Sequence, residues 1–420
     1  MLTAHALAVR DGRIEAVLPA VEAAARFPDY ERVVLDEHVL IPGLINAHTH
    51  AAMALMRGLA DDLSLMRWLE EHIWPAEKRH VSPAFVRDGT LLACAEMLKG
   101  GITCFNDMYF FPEAAIEAAL AAGMRSAHGV IVIEFPSAYA ADAADYLRKG
   151  LELRDRYGDE PLVSFCLAPH APYTVSDASF RQLATFAAEL DLPVHVHLHE
   201  TEEEVQRSFA EHGVRPLERL RRLNLVTPNL IAVHAVHLEA EEISLLSRHG
   251  CSVAHCPSSN LKLASGFAPI AKLAAAGVNV ALGTDGAASN NRLDLFQEMR
   301  TAALLAKAVA HDAQAMPAHD ALEAATLGGA RALGIADKVG TIAVGKAADL
   351  TAVALRGPEL APCYEVVSHL VYAAGREHVT HVWINGRLQL RDGELESNAF
   401  ARLDTRVAFW QNALGALAGH

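Results

Sequence analysis

The chain reads as an α/β protein, a (β/α)8 (TIM) barrel with a small β-sandwich domain formed by its N- and C-terminal segments. Three observations predict this. Eight short, nearly continuous apolar runs, at 44–50, 102–107, 124–132, 163–170, 193–200, 230–236, 251–257 and 278–286, alternate with helical segments. Such runs mark parallel strands buried on both faces, and eight strand–helix units suggest a closed barrel rather than the alternative, a doubly wound open sheet. Short β-type segments flank this region at both ends, and 420 residues suit a barrel plus a smaller domain better than one core.

The division that follows is 1–43, 44–340 and 341–420. In the first part, 5–10 and 13–18 flank Asp11-Gly12, a two-residue hairpin signal. A β-branched stretch at 31–41 ends at Pro42-Gly43. Within the barrel region, a helix is expected from Ser82-Pro83, a cap followed by a first-turn proline, to Gly100-Gly101. The alanine-rich stretches 139–145 and 271–276 also fit helices. In the last part, 347–355 reads as a strand, and 379–384 and 387–390 flank Asn385-Gly386, a second hairpin signal. The terminal β segments are expected to pair with each other.

Composition narrows the function. A formal net charge of −15 repels phosphate backbones, so a nucleic-acid partner is not expected and a small, near-neutral ligand is. The six cysteines include no C-x-x-C pair and read as buried thiols of a reducing cytosol. The start of the chain lacks a basic region followed by an apolar core, and no uncharged apolar run reaches the ~18 residues of a membrane span. Cytoplasmic residence is therefore expected, with a homo-oligomer as the common state of soluble proteins.

Four of the runs end in metal-ligand side chains. His48 and His50, two apart on the first strand, share a face and can converge on one ion at roughly 2.1 Å. His195, His197 and His199 alternate on the fifth strand and are followed by Glu200. His234 ends the sixth, and Asp285, in Gly283-Thr284-Asp285-Gly286, ends the eighth. Taken singly, a histidine pair can be packing in a polar barrel mouth, and T-D-G can be a turn. Taken together, they fall at the C-terminal strand ends, where barrels carry their chemistry.

With these residues, the chain resembles the amidohydrolase superfamily. Its opening strand is Pro42-Gly43-Leu44-Ile45-Asn46-Ala47-His48-Thr49-His50. The fourth strand ends in Ala168-Pro169-His170, without the bridging lysine or glutamate of binuclear members, so the mononuclear branch is the nearer match. Within it, the chain is most similar to the 5-methylthioadenosine/S-adenosylhomocysteine deaminases. Residues 68–79, 107–110, 169–173, 197–201, 259–263 and 283–291 carry that likeness. The resemblance implies one divalent ion per subunit, zinc, on His48, His50, His197 and Asp285. It implies Glu77 for the ribose hydroxyls, Trp68 as an aromatic wall and His170 as a hydrogen-bond partner of the nucleoside.

The expected reaction is hydrolytic replacement of the 6-amino group, releasing ammonia. Glu200, just past the fifth strand, is expected to act as general acid/base toward ring N1. Asp285 would hand the second proton to the leaving ammonia, so that both carboxylates also meet substrate, and His234 would orient the attacking water without binding the ion. One departure concerns the tail: residues 128–135 after the third strand hold no arginine, and the next is Arg148. This speaks against binding a homocysteine carboxylate and leaves a neutral methylthio tail unaffected. Deamination of guanine, cytosine or a triazine, triazine dechlorination, and a non-catalytic scaffold role are the other readings. Glu77 and Trp68 separate the free-base reactions from the nucleoside one, and the complete ligand set opposes the scaffold.

Overall fold

The computed structural model describes residues 2–415. Strands β1 (His5–Arg10) and β2 (Arg13–Pro19) form the first hairpin. Its turn residues Asp11 and Gly12 have φ of 49° and 78°, the double left-handed geometry that such turns require. Next comes β3 (His38–Pro42), shorter than the stretch expected at 31–41, because Val33 and Val34 lie exposed with no partner strand.

Eight strands then form one parallel sheet: β4 (Leu44–Thr49), β5 (Ile102–Asp107), β6 (Arg125–Val132), β7 (Val163–Pro169), β8 (Val194–Leu198), β9 (Leu230–His234), β10 (Ser252–His255) and β11 (Asn279–Leu282). They run in sequence order, as right-handed strand–helix repeats dictate. The sheet closes through its two ends: the Asp285 N–H donates to the His48 carbonyl at 3.0 Å, and Asn46 pairs with Thr284 through both backbone and side chain. Gly283 permits this closure, since a Cβ there would come within 2.9 Å of the His48 backbone. The main core lies between the outward strand faces and the helices, with Leu44, Val130, Leu167, Val194, Val196 and Leu230 fully buried.

The helix Pro83–Lys99 starts at Ser82, whose Oγ accepts from the Phe85 N–H, and stops at Gly100. Of the alanine-rich stretches, 271–276 lies largely in the helix Ile270–Ala275, whereas the helix expected at 139–145 begins only after the cap Asp142. Between β4 and Pro83–Lys99, the chain makes a roof: a 3-10 turn Ala51–Met56, a short helix Leu65–Trp68, a π-turn Leu69–Ile73 and a helix Trp74–His80. π-turns recur at functional sites.

The last strands, β12 (Leu350–Ala354), β13 (Val379–Ile384), β14 (Arg387–Arg391) and β15 (Glu394–Leu395), join β3 in a five-stranded antiparallel sheet. The β3–β12 ladder is the expected pairing of the two terminal regions. The β1–β2 hairpin packs on this sheet through Ile14, Ala348 and Leu350, giving two sheets around a small core. The helix Leu403–Gly415 leaves the sheet and seats Trp410 against Phe85 of the barrel. Five cysteines are buried, but Cys363 is exposed, against the expectation that all would be buried.

One buried ion pair joins the small domain to the barrel: Arg125 donates twice to Asp349, at 2.7 and 3.1 Å, with both residues almost fully buried. Removing one member strands the other charge, so Arg125→Ala is expected to lower unfolding stability by about 3–5 kcal/mol. Denaturant titration measures this, and a loss under ~1 kcal/mol would mean the pair behaves like an exposed one.

Candidate active site

The strand ends carry unusual backbone. His199, His234, Ala235 and Asp285 all have φ between 49° and 69°, a left-handed conformation that non-glycine residues adopt at a cost and that here turns side chains at the barrel mouth. This corrects the reading of β8. His195 and His197 point inward, but the strand ends at Leu198 and the reversal at His199 takes its ring away, to the Leu217 N–H and the His237 carbonyl.

The remaining imidazoles converge. His48 Nε2 and His50 Nε2 each lie 3.3 Å from Asp285 Oδ1, and His197 Nε2 lies 3.3 Å from His48 Nε2. His50 Nδ1 donates to the Met108 carbonyl and His197 Nδ1 to the His170 carbonyl, both at 2.6 Å, so both Nε2 atoms present lone pairs. Burial pushes the His48 pKa down to about 4 and His197 well below its usual value, which keeps them neutral. Ring nitrogens and a carboxylate oxygen thus face one another at 3.3 Å. A cation between them fits that spacing: donors at ~2.0–2.1 Å from a tetrahedral centre lie roughly 3.3–3.4 Å apart. The donor set fits a divalent ion.

Neighbouring groups hold these donors. His48 Nδ1 meets His195 Nε2 at 3.0 Å. The hydroxyls of Ser259 and Ser289 both donate to Asp285 Oδ2 at 2.7 Å, and the Gly286 N–H donates to Oδ1. His234 is also near enough to His48 and His197 to share an ion with them. Its Nε2, however, faces Glu200 Oε2 at 3.7 Å, while Nδ1 donates to Asn260 Oδ1 at 2.8 Å.

Above this centre lies a cavity lined by His50, His197, Asp285, Glu200, His234, His170, Trp68 and Glu77. Of the residues singled out in the sequence, His195 and His199 do not line this space, and His48 is fully buried against His197 and Asp285, which do. Burial, then the charge of Asp285, raises Glu200 to about 8; a divalent cation at the centre would draw it back down. The Glu200 backbone is pinned by Glu204, whose carboxylate accepts from the N–H groups of His199 and Glu200 at 2.9 and 2.8 Å. Glu77 accepts from the Tyr109 hydroxyl at 2.7 Å; burial raises it to about 7 against that hydrogen bond. Apolar walls come from the roof (Leu65, Leu69, Ile73, Trp74) and from Ile131, Ile133 and Phe135.

Sequence reasoning missed Tyr109, Glu204, Ser259, Asn260 and Ser289 as working residues. Four of them stand inside the segments that carry the family likeness, at 107–110, 259–263 and 283–291, which was the available signal.

The model of the amidohydrolase family matches residues 39–388. The 5-methylthioadenosine/S-adenosylhomocysteine deaminase of Teredinibacter turnerae is 46% identical, over 98% of this chain and 93% of its own length. The 5'-deoxyadenosine deaminase of Methanothermobacter thermautotrophicus is also 46% identical, over 85% and 83%. A crystal structure of an adenosine deaminase from Xanthomonas campestris with bound zinc superposes with a TM-score of 0.97 at 51% identity, covering 99% of this chain and 94% of that one. Among the described residues, no helix is long and apolar enough to cross a membrane. On the family match, the near-complete coverage and the conserved-length relatives, this chain belongs to the amidohydrolase family.

Proposed function

We propose that this enzyme hydrolytically deaminates 5'-substituted adenosines, 5'-methylthioadenosine first among them and S-adenosylhomocysteine and adenosine within reach, giving the inosine analogue and ammonia. The carrying observation is a pair of donor groups that share His48, His48–His50–Asp285 and His48–His197–His234, beside a cavity lined by Glu200, Glu77 and several aromatic rings.

The site takes one divalent metal ion, zinc, with His48, His50, His197 and Asp285 as the residues that would hold it. When bound, such an ion lowers the pKa of water toward ~7 and so supplies the nucleophile at neutral pH. Glu200 takes up the proton of the attacking water and delivers it to ring N1, making C6 electrophilic. His234, with its proton fixed on Nδ1 by Asn260, offers Nε2 as an acceptor that orients the water. Asp285, whose Oδ2 accepts from the Ser259 and Ser289 hydroxyls, takes the remaining proton of the attacking oxygen and passes it to the leaving ammonia as the C6–N bond breaks. Glu77 accepts from the ribose hydroxyls, Trp68 closes over the nucleoside, and His170 hydrogen-bonds it. Cytoplasmic residence and a homo-oligomeric state belong to the same proposal, the first resting on composition and the second on the usual state of such enzymes.

The cavity wall bears on the tail. Among the described residues, none of those lining the cavity is lysine or arginine, while Phe110, Ile131, Ile133, Phe135 and Trp74 are apolar. A methylthio group suits this wall, whereas a homocysteine carboxylate would lose hydration without gaining a partner. The kcat/KM for 5'-methylthioadenosine should therefore exceed that for S-adenosylhomocysteine by tenfold or more. Ammonia release from these two, adenosine, adenine, guanine and cytosine tests the whole reading. Turnover of a free base alone would retain the metal centre but refute the nucleoside assignment.

A further inference from the structure

Two adjacent residues directly after β5, Met108 and Tyr109, contact the site. The Met108 N–H donates to the Thr49 carbonyl, and the Met108 carbonyl receives the His50 Nδ1–H at 2.6 Å. The next residue, Tyr109, is buried with its ring against the cavity, 6.4 Å from that of His50, and its hydroxyl donates to Glu77 Oε1 at 2.7 Å.

Glu77 stands on the roof helix Trp74–His80. A glutamate carboxylate on such a helix has three side-chain torsions to order. Engaging a vicinal diol requires both its oxygens at a fixed height above the metal centre. Among the described residues, Tyr109 is the one protein group hydrogen-bonded to that carboxylate, and it binds a single oxygen, leaving Oε2 to the cavity. A tyrosine ring has only two torsions, and this one springs from the segment directly after β5 that also orients His50, so the height of Glu77 is referenced to the barrel rather than to the roof.

From this arrangement, we infer that Tyr109 is a positioning residue for ribose recognition: its hydroxyl fixes the Glu77 carboxylate at the height where it can accept both the 2'- and 3'-hydroxyls. The inference rests on the assignment of Glu77 to the ribose. It further implies that Tyr109 acts only through Glu77 and only on substrates that carry the diol.

Tyr109→Phe keeps the ring in the wall and removes the one donor. The probes are 5'-methylthioadenosine and its 2',3'-dideoxy analogue, compared as a ratio of kcat/KM in wild type, Tyr109→Phe, Glu77→Gln and the double variant, each checked for zinc content and thermal midpoint. The expected result is a wild-type ratio well above one that falls roughly tenfold in Tyr109→Phe, mainly through KM, with no further fall when the change is added to Glu77→Gln. A wild-type ratio that Tyr109→Phe leaves intact, or an equal loss on both substrates, overturns the positioning role while Glu77 keeps its own. A wild-type enzyme that turns over both substrates alike overturns the Glu77 assignment and the inference with it.

Discussion

Glu200→Gln is expected to lower kcat by roughly 10²–10⁴-fold while the protein keeps its full complement of metal. The substitution is isosteric, and Glu200 is not among the four converging donors, so nothing that holds the ion is removed. The backbone at this position is fixed independently by the Glu204 carboxylate, so the side-chain amide should occupy the same place. What is lost is the ability to take a proton at the floor of the cavity and release it to N1. Metal analysis beside steady-state kinetics separates the possibilities. A variant that loses its ion would place Glu200 among the ligands, and one that retains most of its activity would move the acid/base role elsewhere, with His234 the next group within reach.

Stripping the metal is expected to destabilise the fold by several degrees, with recovery on adding zinc back. An ion that binds only the native state adds about 4 kcal/mol when its free concentration is 1,000 times Kd. The present centre sharpens this, since without a cation His48 Nε2 stands 3.3 Å from both Asp285 Oδ1 and His197 Nε2, with all three residues buried. His197→Ala should melt at the same temperature with and without chelator, because the site it would report on has been opened. Thermal melts of wild type and variant, each before and after chelation, check this. Identical melting of the wild type in both states, at full zinc stoichiometry before chelation, would sink the idea that the ion contributes to stability.

Much of this site was legible because its ligands sit in strands or just past their ends: His48 and His197 lie in β4 and β8, while His50 follows β4 by one residue and Asp285 follows β11 by three. A pair two residues apart falls on one face as long as the chain stays extended. The same rule misled at His199, where the strand stops one residue early and a left-handed turn swings the ring aside. Both hairpins were announced by their Asp-Gly and Asn-Gly pairs, since few residues tolerate two successive positive φ values. Residues 31–37 show the opposite case. Their β-branched composition suits a strand, but a strand exists only opposite a partner, and β12 pairs with His38–Pro42 alone. Ser259, Ser289, Asn260 and Tyr109 were not readable as working groups because each lies on a loop or short helix. They meet Asp285, His234 and Glu77 only after the barrel has closed, a three-dimensional event that local periodicity does not encode.

The β3–β12 ladder joins residues about 300 positions apart, with the entire barrel between them. During synthesis, β1 and β2 can form their hairpin at once, but β3 must wait for β12 to emerge, which takes about 15–60 s at ~5–20 residues per second. Over that interval it is an unpaired edge able to recruit a strand from another chain. Its brevity and the Pro42 at its end limit that hazard. The strand therefore acts as a late clasp, engaging after the eight parallel strands have had time to assemble, so that slow steps in refolding should track the small sheet rather than the catalytic barrel.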